Sequence, residues 1–359
     1  MSLQLRNQIL IGDVRDRLTE IPDASVDCII TSPPYYQLRD YGVSHQLGLE
    51  ASVGDWVDEL RLILNGLARV LKPTGSLWLN LGDTYSRHLR YGSAPKGLLL
   101  APERLLLGLA DDGWIVRNKI IWAKTNPMPH AVKDRLTNSY DVVYFLVRSP
   151  HYFFDLDAIR LPHRSSTTRR NGRAYPPAEA SAPGWRQRGG GNLGLAAQKA
   201  RGVVGHWLGK NPGDVWQIAS ANFPGQHFAT FPPALVERPL LATCPEQICE
   251  QCGVPYRRPT RSWRDEVKSR RPQRAERHVL RYRLHYTVRR QRGPLQPECR
   301  CQADSRPGVV LDPFFGAGTV GLIAERHGRD WLGIELNPVY ANLAEGRLAE
   351  TRQERAASA

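Results

Sequence analysis

The stretch from Gly308 to Glu335 constrains this chain more than any other. Gly308-Val309-Val310-Leu311 is a short apolar run of strand character, and Asp312-Pro-Phe-Phe-Gly-Ala-Gly-Thr319 is a glycine loop that opens a helix over 320–327. A second strand follows over 330–334, with Glu335 at its tip. Such a strand–helix–strand unit belongs to an open α/β sheet, and the first 150 residues carry the same rhythm. A strand then turn is predicted over 8–13, strands over 25–30, 75–81, 114–122 and 141–147, and helices over 14–18, 56–71 and 102–110. The expected fold is α/β, a doubly wound parallel sheet of the Rossmann-like kind.

The loop also has chemistry. Gly316 and Gly318 let the backbone turn tightly and a ligand approach closely, and Thr319 starts a helix whose N–H groups face the site. Glu335 follows Gly316 by 19 residues, where an acid at a strand tip accepts hydrogen bonds from ribose hydroxyls. The loop is not G-x-G-x-x-G, lacks the Gly-Lys-Ser/Thr of a P-loop, and has Asp312 where a phosphate would be repelled. S-adenosylmethionine has a ribose diol and a cationic amino-acid tail, and it satisfies both acids. An ordinary glycine turn is the competing reading.

A second motif, Thr31-Ser32-Pro33-Pro34-Tyr35, follows the apolar strand ending at Ile30. Two prolines without N–H groups end the strand in a stiff corner. Ser32 offers a hydroxyl, Pro33 a carbonyl and Tyr35 a flat ring, a set suited to a planar base that carries an amino group. A proline-rich turn before a surface tyrosine fits the residues equally well.

Two stretches interrupt the rhythm. One, from about 151 to 211, holds Ser165-Ser-Thr-Thr-Arg-Arg170, Pro176-Pro177 and Gly189-Gly-Gly191. The other, from Cys244 to Arg306, has fourteen Lys and Arg between Arg257 and Arg292, with Trp263, Tyr282 and Tyr286 interleaved. With a net charge of +14, this pattern points to a nucleic-acid partner. No apolar run reaches the length of a membrane span, and the N-terminus has no signal pattern, so a cytoplasmic protein with reduced cysteines is expected. Cys249-x-x-Cys252 and Cys299-x-Cys301 are spaced for a four-thiolate structural zinc site at the base of the second insert, with Cys244 as a substitute ligand.

Together the two motifs resemble the catalytic and cofactor motifs of the DNA amino-methyltransferases. Their order, catalytic first and cofactor last, is similar to the circularly permuted β group of that family. Ile120-Ile-Trp-Ala-Lys-Thr-Asn-Pro-Met-Pro129, Lys133-Asp-Arg135, Asn80-Leu-Gly-Asp83 and His227-Phe-Ala-Thr-Phe-Pro232 resemble that group as well. The resemblance covers residues 8–160 and 211–350. It implies that Asp312, Phe314, Gly316, Gly318 and Thr319 line the methionine part of S-adenosylmethionine and that Glu335 holds the ribose. It places Gly12 and Asp13 near the adenine, and His227, Phe228 and Phe231 over the cofactor. Ser32, Pro33, Pro34 and Tyr35 would then receive a base flipped out of double-stranded DNA.

On this reading the chain divides into a catalytic half (1–150), a basic target-recognition insert (151–211), a core return segment (212–243), the cysteine-bounded basic insert (244–306) and a cofactor-binding half (307–359). The expected activity is site-specific methylation, as in restriction-modification, at N4 of cytosine. Serine at the first motif position is commoner among N4 enzymes of the family and aspartate among N6-adenine enzymes. N6 of adenine is the alternative, followed by RNA or a protein glutamine amide as substrate, or an inactive nucleic-acid-binding protein.

Overall fold

The computed structural model describes residues 5–129, 131–162, 206–221, 231–267 and 285–358. The strands of its main sheet are β1 (Gln8–Ile11), β2 (Val26–Thr31), β3 (Leu71–Leu81), β4 (Ile115–Lys124), β5 (Tyr140–Val147), β6 (Val215–Ile218), β11 (Val309–Asp312) and β12 (Asp330–Glu335). They lie in the order β1-β12-β11-β2-β3-β5-β4-β6. Every neighbouring pair is parallel except those made by β5, which runs against both β3 and β4. The doubly wound, mainly parallel sheet read from the sequence is present, with one strand reversed. The cause is local: no crossover helix separates β4 from β5, so the chain can only turn back.

The central strands read as unbroken apolar runs because both faces are covered. In β5, Val142, Tyr144 and Leu146 enter one core while Val143, Phe145 and Val147 enter the other. The first core is closed by α1 (Val14–Arg17), α2 (Val53–Val70) and α3 (Ala101–Asp111), through residues such as Trp56, Leu60 and Leu105. The second is closed by α5 (Pro233–Thr243), α6 (Thr319–Arg326) and α7 (Pro338–Ser358), through Leu240, Val320 and Leu348. Helix α2 starts at a capping box, with the Ser52 hydroxyl accepting from Asp55 N–H at 3.2 Å and Asp55 accepting from Ser52 N–H at 3.0 Å. Buried Asp27 ties three strands together: it pairs with Lys72 Nζ at 2.6 Å and accepts from Val309 N–H at 3.0 Å.

Glycines shape the cofactor half. Phe315 is buried and stacks on Trp331 at 5.1 Å, and a Cβ on Gly333 would lie 2.5 Å from its ring carbons. Gly333→Ala is expected to cost about 1–3 kcal/mol by overpacking. The loss would be read as a lower urea midpoint at unchanged slope.

The sheet, α1–α3 and α5–α7 belong to a compact unit comprising 1–155, 213–262 and 291–359. That unit also holds a small antiparallel pair, β7 (Ile248–Cys249) with β10 (Ser305–Arg306). A second unit spans 156–212 and 263–290. Its described residues include α4 (Leu156–Ile159), an Arg160–Asp157 ion pair at 2.6 Å, and a bridge between Leu161 and Lys210. β8 (Thr260–Val267) and β9 (His285–Arg292) form a two-stranded ribbon. Most of the first basic insert, over 163–205, and the middle of the second, over 268–284, lie outside the described residues. Among the described residues no helix is long and apolar enough to cross a membrane.

Candidate active site

β2 and β11 are neighbours, yet the helices that follow them, α2 and α6, cover opposite faces of the sheet. This is a topological switch point, where open α/β sheets leave a crevice at the strand ends. The two sequence motifs meet there. Thr31 Oγ1, at the end of β2, donates to Asp312 Oδ1, at the end of β11, over 2.7 Å.

On the β2 side the proline corner is held from behind. Trp56 Nε1 donates to the Pro34 carbonyl at 3.0 Å. Asn80, at the end of β3, donates Nδ2 to Ser32 Oγ at 3.1 Å and to the Tyr35 hydroxyl at 2.8 Å. Tyr35 in turn lies 3.5 Å from Asp141 Oδ2, and the other oxygen of Asp141 pairs with Lys124 at 2.8 Å. Burial pushes the Asp141 carboxyl up against the pull of Lys124, and burial also drives the Tyr35 phenol well above its ordinary value. Tyr35 therefore stays a neutral hydroxyl. Gly82 packs against its ring, where a Cβ would come within 2.6 Å of Cε2.

On the β11 side, Gly316 and Gly318 both have positive φ, 51° and 76°, and Gly318 caps α6. Glu335 Oε2 accepts the Gly316 N–H at 2.7 Å and Oε1 the Asn337 N–H at 2.8 Å. Each carboxylate oxygen keeps a lone pair for a further donor, which suits a ribose diol. Asp312 accepts from Thr31 and Phe314 through Oδ1, while its buried Oδ2 has no partner. Burial, only partly offset by those two hydrogen bonds, raises its pKa to about 7. A buried, unpartnered carboxylate oxygen beside a ribose acceptor fits the ammonium and ribose of S-adenosylmethionine.

One cavity of about 320 Å³ joins the two sides. Gly12, Asp13, Ser32, Pro33, Pro34, Tyr35, Phe231, Phe314, Gly316, Thr319 and Glu335 all line it. Asp312, 1% exposed, lies just behind the Pro313 and Phe314 wall. Gly318 also lies behind the wall, where it lets α6 approach α7: a Cβ there would sit 2.9 Å from Ala344 Cβ. Asp13 caps α1 and is gripped by Arg15 at 2.6 Å, which holds its carboxyl below the usual range. His227 and Phe228 lie outside the described residues.

Sequence reasoning missed Asn80, Lys124 and Asp141 as members of the site. A polar residue in the apolar strand Leu77-Trp-Leu-Asn80-Leu was the available signal. The four paired cysteines are brought together, all ligand atoms lying within 4.8 Å of one another. Cys244 does not join them: it is buried in the second core.

A glycine loop with two acids and a proline corner with a hydroxyl, placed on adjacent strand tips, have the chemistry that an S-adenosylmethionine-dependent amino-methyltransferase needs. The profile of the N6/N4 DNA methylase family matches residues 26–248 and 303–346. The chain is similar to Type II methyltransferase M.Cfr9I of Citrobacter freundii, 30% identical over 94% of this chain and 86% of that one. It is also similar to Type II methyltransferase M.XycI of Xanthomonas campestris pv. cyanopsidis, 31% identical over 96% and 89%. Among solved structures it shares its fold with PvuII DNA methyltransferase (cytosine-N4-specific), with TM-score 0.53, 18% identity, and coverage of 94% of this chain and 84% of that one. The chain belongs to the N6/N4 DNA methylase family. It is an S-adenosylmethionine-dependent DNA methyltransferase of the cytosine-N4 or adenine-N6 type.

Proposed function

We propose that the chain methylates the exocyclic N4 amine of a cytosine flipped out of duplex DNA, as the modification enzyme of a Type II restriction system. The observation that carries the choice of amine is Ser32, a neutral hydroxyl fixed by Asn80 at the motif position where adenine-directed members of the family more often have an acid. Its relatives' Type II character supports the restriction link, and the basic inserts supply phosphate contacts for a duplex.

S-adenosylmethionine, when bound, supplies a methyl group on an electrophilic sulfonium. The chain's own residues prepare the amine, a poor nucleophile because its lone pair is delocalised into the ring. Ser32 Oγ and the Pro33 carbonyl each accept one amine N–H, favouring a more tetrahedral nitrogen with a localised lone pair. The Pro34 carbonyl is already taken by Trp56, so the grip falls on Pro33. Tyr35 stacks on the base and holds it in a near-attack position. The proton shed by the nitrogen after transfer has a route through the Ser32 and Tyr35 hydroxyls, 3.4 Å apart, to Asp141. Cys28, buried in β2 with its thiol pushed up to about 12, takes no part.

Incubation with labelled S-adenosylmethionine and duplex DNA, followed by nucleoside mass spectrometry, is expected to yield N4-methylcytosine. N6-methyladenine would overturn the choice of amine, and label confined to RNA or protein would overturn the DNA reading.

A further inference from the structure

We propose that Cys249, Cys252, Cys299 and Cys301 bind one zinc ion, which staples together the two ends of the 253–298 segment. The active site does not use these thiols. In a tetrahedral zinc site with Zn–S of about 2.3 Å, the sulfurs stand roughly 3.8 Å apart. The four sulfurs here already lie within 4.8 Å of one another, and all are free thiols.

The backbone around them has the form of a thiolate knuckle. Gly253 N–H donates to the Cys249 carbonyl at 2.9 Å, with Gly253 at φ 70°, so the chain folds back within the Cys-x-x-Cys-Gly turn. Cys249 pairs with Ser305 across the β7–β10 ladder, and Glu250 N–H donates to the Asp304 carbonyl at 2.9 Å. Cys299 and Cys301 precede β10 in the chain.

The region also lacks the usual source of stability. Over 250–262 and 291–307, Gly293 is the one buried residue among those described. Two-stranded pieces without an apolar core are marginal in water and need a staple. Four thiolates, with no carboxylate or histidine in the set, select zinc among the common divalent ions. The set is closed, with no open position for substrate, so the role is structural.

The test uses tag-free, full-length protein from zinc-supplemented cells, with metal measured by plasma mass spectrometry. One zinc per chain is expected, and none in the Cys252→Ser/Cys301→Ser double variant. Cobalt exchanged into the site should give a thiolate-to-cobalt charge-transfer band and the visible bands of a tetrahedral sulfur site. Stripping the metal should open proteolytic cleavage within 250–305 while S-adenosylmethionine binding persists. Iron in place of zinc, two disulfides in the metal-free protein, or zinc retained by the double variant would each overturn the proposal.

Discussion

Tyr35→Ala is expected to abolish methyl transfer, by about a hundredfold or more, while leaving S-adenosylmethionine binding largely intact. The division of labour follows from the cavity. The Tyr35 ring rests on Gly82 and its hydroxyl on Asn80, both on the side of β3, whereas Glu335 and the Gly316 loop, proposed here to meet the donor, lie beyond β11. Removing the ring leaves a base with no stacking surface and leaves Asn80 Nδ2 with Ser32 alone. Tyr35→Phe separates the two contributions, since it keeps the stack and removes only the hydroxyl between Asn80 and Asp141. Single-turnover rates with equilibrium dialysis of labelled donor are the measurement. A collapse of donor affinity in Tyr35→Ala would show that the cavity is not divided in this way.

The second large effect concerns pH. Burial pushes the Asp312 carboxyl up to about 7. A carboxyl that holds its proton better when folded adds stability that is complete below its ordinary value of 3.8 and is lost as the pH rises through about 7. The unliganded protein is therefore expected to lose stability between about pH 4 and pH 7 through this group. A cationic amino-acid tail needs the ionised form. Below neutrality, binding must release a proton, and affinity should fall by up to about tenfold per pH unit as the pH drops below 7. Asp312→Asn should flatten this dependence and weaken binding by about 2 kcal/mol, the worth of a charge-assisted hydrogen bond. Calorimetry in buffers of different ionisation enthalpy reads both the affinity and the proton count. A flat wild-type profile between about pH 5.5 and 7.5 would exclude Asp312 from contact with the tail.

Much of this site is legible in the chain because its chemistry sits on short, rigid motifs. Glycines that permit positive φ, prolines that end a strand and an acid at a strand tip each leave a local signature, and all three lie where the sheet brings them together. Asn80, Lys124 and Asp141 leave only a weak one, the polar Asn80 within an apolar strand. Asn80 reads as one residue of an apolar strand, and its meaning depends on β3 lying beside β2. Lys124 and Asp141 pair only because β5 turns back along β4, a reversal that helix and strand periodicity alone does not announce. Asp312 was visible as an acid but not as a buried one. Its position behind Phe314 depends on how the loop packs over β11, which is a tertiary matter.

The strand order also governs when the enzyme can work. β2, which carries the Thr31–Tyr35 corner, is made early, but its neighbour β11 follows 281 residues later at the Thr31–Asp312 contact. A nascent chain on the ribosome therefore displays the corner with no donor cradle beside it, and β2 waits with one edge unpaired. That edge is a site for misassociation until β11 docks, so any stall before Gly308 risks aggregation.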